Sequence, residues 1–143
     1  MKTRTTHVIA VMLSFLIPLV AKAEAVLEQI DAANKAFAKA IVAGDIDHLV
    51  NNYTDDACII APQTPLTCGK EAIRPFWTSV VGSKPKNVEI ITHNAEKEGN
   101  LSYATGELII IDANSAVQKN RFVLVLKLID GGWKLHVDSW TPQ

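Results

Sequence analysis

Asp130-Gly131-Gly132-Trp133-Lys134-Leu135-His136-Val137-Asp138-Ser139-Trp140 reads as a tight turn followed by a strand. Asp-Gly-Gly is hairpin chemistry, because glycine accepts the positive φ that a short turn needs. Strict alternation follows. It predicts Trp133, Leu135 and Val137 on one face of the strand, with Lys134, His136, Asp138 and Trp140 on the other. The first face is apolar. The second sets an imidazole, a carboxylate and an indole in a row, which suits open solvent or the wall of a cavity.

Working back from this strand, three more are predicted before it. Val117 to Ile129 and Leu101 to Asp112 contain the runs Phe122-Val123-Leu124-Val125-Leu126 and Leu108-Ile109-Ile110-Ile111. Such runs predict strands covered on both faces. Asn87 to Lys97 alternates, and Glu98-Gly99-Asn100 and Ala113-Asn114-Ser115 are turns. Upstream, Val26, Leu27, Ile30, Ala33, Phe37, Ala40 and Ile41 recur every three or four residues, predicting a helix over 24–43. Gly44 suits its C′ position, and Asp45 caps a short second helix reaching Asn51. Gly69 to Gly82 forms a third, which Pro75 should kink or delay. Helices first and a strand meander after them predict an α+β domain, with helices on one face of a curved antiparallel sheet.

The sequence has 143 residues. Lys2 and Arg4, the apolar run from Val8 to Val20, and Ala21-Lys22-Ala23 form the charged start, core and cleavage motif of a signal peptide. A 13-residue run broken by Pro18 is short for a ~30 Å membrane core. The expected organisation is a leader over 1–23 and one domain over 24–143, periplasmic or secreted, with no membrane attachment after cleavage. Loss of Lys2, Arg4 and Lys22 leaves eleven basic against fifteen acidic residues. That balance offers no basic stripe for nucleic acid and no polybasic patch for a membrane. No cofactor motif occurs, and the few histidines do not make a metal site, which needs three converging ligands.

Cys58 and Cys68 flank the turn Ala61-Pro62-Gln63-Thr64-Pro65. A hairpin centred on Gln63 sets Ile59 against Thr67 and Cys58 against Cys68, close enough to bridge. The alternatives are a structural disulfide or two separate buried thiols. No cation flanks either cysteine in sequence, as a catalytic thiol would want.

The order Ala43-Gly44-Asp45, Tyr53-Thr54-Asp55-Asp56-Ala57, Gly69-Lys70-Glu71-Ala72-Ile73 with Phe76-Trp77, and Gly131-Gly132-Trp133-Lys134 with His136, Asp138 and Trp140 resembles the nuclear-transport-factor-2-like superfamily. The chain looks most like its SnoaL-like and ketosteroid-isomerase-like members. The resemblance implies a cystatin-like cone, its sheet wrapped around three N-terminal helices, with a pocket at the open end and dimerisation through the sheet. The isomerase chemistry of that family uses a carboxylate base, a tyrosine and a protonated acid. The matching positions here are Ala61, Phe37 and Leu124, all apolar. The resemblance therefore implies the fold without that machinery.

The residues left to carry chemistry are His136 and Asp138, read as an acid–base pair on one strand face. Tyr53, Trp77, His93 and Trp140 are read as ligand-binding. Asp55 and Asp56 suit local hydrogen bonding, and Arg74 suits an ion pair with Glu71. The expected function is a secreted pocket protein for a small, largely apolar molecule. The alternative is a dimerisation or partner-binding module whose cavity is filled by side chains.

Overall fold

The computed structural model describes residues 17–143, with side chains from 24 onward. The basic start and most of the apolar run of the expected leader lie outside the described residues. Three helices, α1 (Ile17–Ala43), α2 (Ile46–Asn51) and α3 (Lys70–Gly82), accompany six strands. These are β1 (Tyr53–Ile60), β2 (Thr67–Cys68), β3 (Asn87–Glu98), β4 (Leu101–Ile111), β5 (Val117–Ile129) and β6 (Gly132–Pro142). Among the described residues no helix is long and apolar enough to cross a membrane.

The stripe of α1 decides its packing. Val26, Ile30, Asn34, Phe37 and Ile41 are all buried. Helix α1 ends because Gly44 takes φ +75°, which lets the Asp45 N–H reach the Ala40 carbonyl at 3.0 Å. The Asp45 carboxylate then accepts from the His48 N–H at 3.0 Å, capping α2. Helix α3 starts at Lys70 despite Pro75, which lies inside it. Its Arg74 pairs with Asp47 of α2 at 2.8 Å rather than with Glu71, so it ties two helices together.

The strands form one sheet in the order β2-β1-β6-β5-β4-β3. The expected antiparallel sheet is corrected to a mixed one. The meander β3 to β6 is antiparallel, but β6 returns beside β1 and runs parallel to it, pairing Cys58 with Val137 and Ile60 with Ser139. The hairpin before β6 turns on Asp130 (φ 50°) and Gly131 (φ 79°), between paired Ile129 and Gly132. The structure bridges Cys58 and Cys68, which are register partners in β1 and β2. Closing a ten-residue separation stabilises the sheet edge by about 2–3 kcal/mol.

Helices cover the concave face alone. Phe122, Leu124 and Leu126 of β5 are buried there, while Val123, on the convex face, is 52% exposed. The expected double cover of β5 is thus absent in the single chain. Gly106 of β4 lies opposite Phe122. A Cβ at Gly106 would sit 2.0 Å from the Ile91 carbonyl and 2.6 Å from the Phe122 ring. Only glycine lets that ring lie flat against β4.

Candidate functional site

One residue divides β6. Leu126 pairs with Leu135, but Val125 pairs with Val137, so His136 is left without a partner in β5. This is a β-bulge, and it inverts the alternation beyond it. Leu135 faces the concave side before the bulge; Asp138 and Trp140 face it afterwards. The expected shared face of His136 and Asp138 is therefore corrected: they lie on opposite sides of the sheet.

On the concave side, Asp138 is 6% exposed. The Tyr53 hydroxyl donates to its Oδ2 at 2.5 Å. The Trp77 indole N–H donates to the Tyr53 oxygen at 3.2 Å. Each residue reaches this chain from a different element: Trp77 from α3, Tyr53 from β1, Asp138 from β6. Burial pushes the Asp138 carboxyl from its ordinary 3.8 up to about 6, against the opposing pull of the Tyr53 hydrogen bond. The Tyr53 hydroxyl is raised well above its ordinary range, first by burial and then by the adjacent Asp138 charge. Tyr53 is thus a proton-holding donor that keeps the carboxylate oriented.

Above Asp138 opens a cavity of 370 Å³. Its walls include Phe37, Trp77, Phe122, Leu124 and Trp140. Phe37 and Trp77 meet edge to face at 5.1 Å, and Phe76 backs Trp140 at 6.1 Å. Asn34 also lines the cavity, with its Nδ2 donated to Thr92 Oγ1 at 2.9 Å. Asn34 was not among the residues singled out by sequence reasoning. Its signal was present: a polar residue inside the apolar stripe of α1, four after Ile30 and three before Phe37.

On the convex side, His136 Nδ1 lies 2.9 Å from Thr54 Oγ1 and 3.4 Å from Asp56 Oδ1. Lys127 Nζ stands 3.8 Å from the other Asp56 oxygen. The Thr54 hydroxyl donates to Asp56 and is the main cause of that carboxyl's lowered pKa. This group forms where β1 bows away from β6, between the pairs Tyr53–Leu135 and Cys58–Val137. Asp55 makes a separate pair with Lys70 at 2.8 Å.

Of the expected ligand-binding residues, Trp77 and Trp140 line the cavity and Tyr53 sits behind Asp138. His93 does not join them. It is a second bulge residue, between Thr92 and Asn94 of β3, and is exposed. Among the described residues no three His, Cys, Asp or Glu side chains converge as metal ligands.

A cone of helices clasped by a bent sheet, hollow at its centre, defines the NTF2-like class. Residues 30–138 match the SnoaL-like domain, and the chain belongs to that family. Solved structures with the same fold include an NTF2-like protein of Streptomyces avermitilis, described as a suggested dehydratase. It is 17% identical, with a TM-score of 0.72, over 84% of this chain and 97% of that one. A ketosteroid isomerase-like protein of Erwinia carotovora atroseptica is 18% identical, with a TM-score of 0.69, over 81% and 95%. An NTF2-like protein of unknown function from Pseudomonas putida is 18% identical, with a TM-score of 0.71, over 83% and 87%. No curated protein matches the chain.

Proposed function

We propose that this chain is a pocket protein that holds a small, largely apolar molecule over the Asp138 carboxylate. The observation that carries this reading is one buried carboxyl facing an aromatic-walled hollow of 370 Å³. Tyr53 occupies Oδ2, which leaves Oδ1 for the guest. With its pKa near 6, Asp138 is the group suited to exchanging a proton with that guest near neutral pH. The isomerase arrangement is not part of this reading, because Phe37, Ala61 and Leu124 occupy its three positions. Export with removal of residues 1–23 belongs to the same proposal, and a bridged Cys58–Cys68 pair fits an oxidising compartment.

Titration with the fluorescent apolar probe N-phenyl-1-naphthylamine tests the pocket. One saturable site per chain is expected. Leu124→Trp, which fills the hollow, should abolish it. Equal binding by both proteins would place the probe elsewhere and overturn the reading.

A second reading concerns the convex face, where Ile60, Tyr103 and Val123 are each at least 40% exposed. Charged neighbours frame this surface, Glu107 directly opposite Arg121. A second copy of the chain fits it, apolar centre on apolar centre. Sedimentation equilibrium should give a dimer, and Val123→Glu a monomer.

A further inference from the structure

The cavity's charged groups are all of one sign. Among the residues that line it, the ionisable side chains are Asp138 and Asp112; no lysine, arginine or histidine is present. Asp112 is engaged in the β4–β5 turn, where its Oδ1 accepts from the Asn114 and Ala116 N–H groups at 2.8 and 2.9 Å. Asp138 has a hydroxyl donor but no counter-charge. The same lining takes Asn34 and Phe37 from α1, Trp77 from α3, and Phe122 and Leu124 from β5, and Tyr53 of β1 donates to the carboxylate. The Asn34 amide donates from Nδ2 to Thr92. Beside the two carboxylates, the polar side chains of the lining, Asn34, Ser79, Ser83 and Gln118, are all neutral, so the only charge offered to the cavity is negative.

The walls agree in sign. Phe122 and Trp140 are directly opposed across β5 and β6, two pairs along from Leu124 and Asp138 and so on the same face. Trp140 is two residues from Asp138 on the same face, about 7 Å away at Cα. Trp77 and Phe37 close the other side at 5.1 Å from each other. Aromatic faces carry the negative lobe of the ring quadrupole and attract cations. Aromatic side chains in the lining, together with a carboxylate that has no counter-charge, complement one kind of guest.

Building on the pocket reading above, we infer that the cavity selects a small organic cation: a tertiary or quaternary ammonium on an apolar body, its charge over Asp138 and its alkyl groups against Trp77, Trp140 and Phe122. Anionic guests are excluded, since nothing in the lining neutralises them and the carboxylate repels them. A neutral apolar guest fits the shape but leaves the Asp138 charge buried and unpaired, which is costly.

Calorimetric titration of the full chain with an isosteric pair, phenyltrimethylammonium and tert-butylbenzene, with benzenesulfonate as the anion, tests this. At pH 7.5 the cation should bind at least tenfold more tightly than the hydrocarbon, and the sulfonate not at all. Cation affinity should fall about tenfold at pH 5, one unit below the Asp138 pKa of about 6. Hydrocarbon affinity should not fall. Asp138→Asn should remove the preference for the cation while keeping the hydrocarbon. If tert-butylbenzene binds the wild type as tightly as the cation does, or if cation affinity ignores both pH and Asp138→Asn, the cation assignment is overturned and the pocket stands. If neither tert-butylbenzene nor phenyltrimethylammonium binds at all, both readings fall. The pH series uses unaltered protein, so it decides even if the variant does not fold.

Discussion

His136 and Asp138 are two residues apart, yet the sheet places them in opposite environments. His136 shares its convex-side cluster with Thr54, Asp56 and Lys127, where the Asp56 side chain is 73% exposed. Water screens those charges, so their geometry contributes little. Asp138 meets a hydroxyl and aromatic walls, and burial pushes its carboxyl up from 3.8 to about 6. On one side of β6 a hydrogen bond from Thr54 draws the exposed Asp56 carboxyl down; on the other, burial drives Asp138 up. Titratable groups acquire distinctive chemistry from what is excluded around them.

The contrast can be tested from its largest consequence down. Gly106→Ala should be the most damaging change, since its Cβ would collide with the Ile91 backbone and drive Phe122 out of the concave wall. A loss of about 3 kcal/mol in chemical denaturation is expected, as for overpacking against backbone. Next comes pH. The folded Asp138 keeps its proton up to about pH 6, whereas the unfolded carboxyl releases it near 3.8. Between those values the folded state binds more protons, so stability falls as pH rises through this window. The drop attributable to Asp138 is about 2–3 kcal/mol. Denaturation at pH 3.5 and 7.5 should show it in the wild type and not in Asp138→Asn.

Tyr53→Phe is expected to act more mildly. It removes the hydrogen bond that holds the Asp138 charge and leaves the Trp77 N–H without its acceptor. A cost of about 1–2 kcal/mol is expected, and the midpoint of the Asp138 titration, followed by carboxyl NMR shifts, should move above 6. At the low end, His136→Gln and Asp56→Asn should leave melting temperature and probe binding unchanged within error. Loss of probe binding in either would mean that the convex cluster communicates with the cavity, and the contrast would fail.

Much of this architecture is legible in the chain. The span of β5, the Asp130–Gly131 turn, the capping by Asp45 and the register of Cys58 against Cys68 follow from patterns a few residues long. The site was only half legible, for a physical reason. Period-two alternation assumes an unbroken ladder, and His136 breaks it. Nothing within Leu135-His136-Val137 signals the bulge, because it is set by the registers of β5 on one side and β1 on the other. His93 fails in the same way in β3. The parallel pairing of β1 with β6 joins segments some eighty residues apart, which local pattern does not encode. Asn34, by contrast, was readable as a polar interruption in an apolar stripe.

The slot that β6 fills has a bearing on how the protein comes into being. Strand β6 is synthesised after the other five, yet it is an interior member of the sheet, wedged between the first strand and the fifth. Until it arrives, the β1–β2 hairpin has no bond to the meander, and neither Tyr53 nor Trp77 has Asp138 to complete the buried relay. Closure of the sheet therefore waits until β6 has been made.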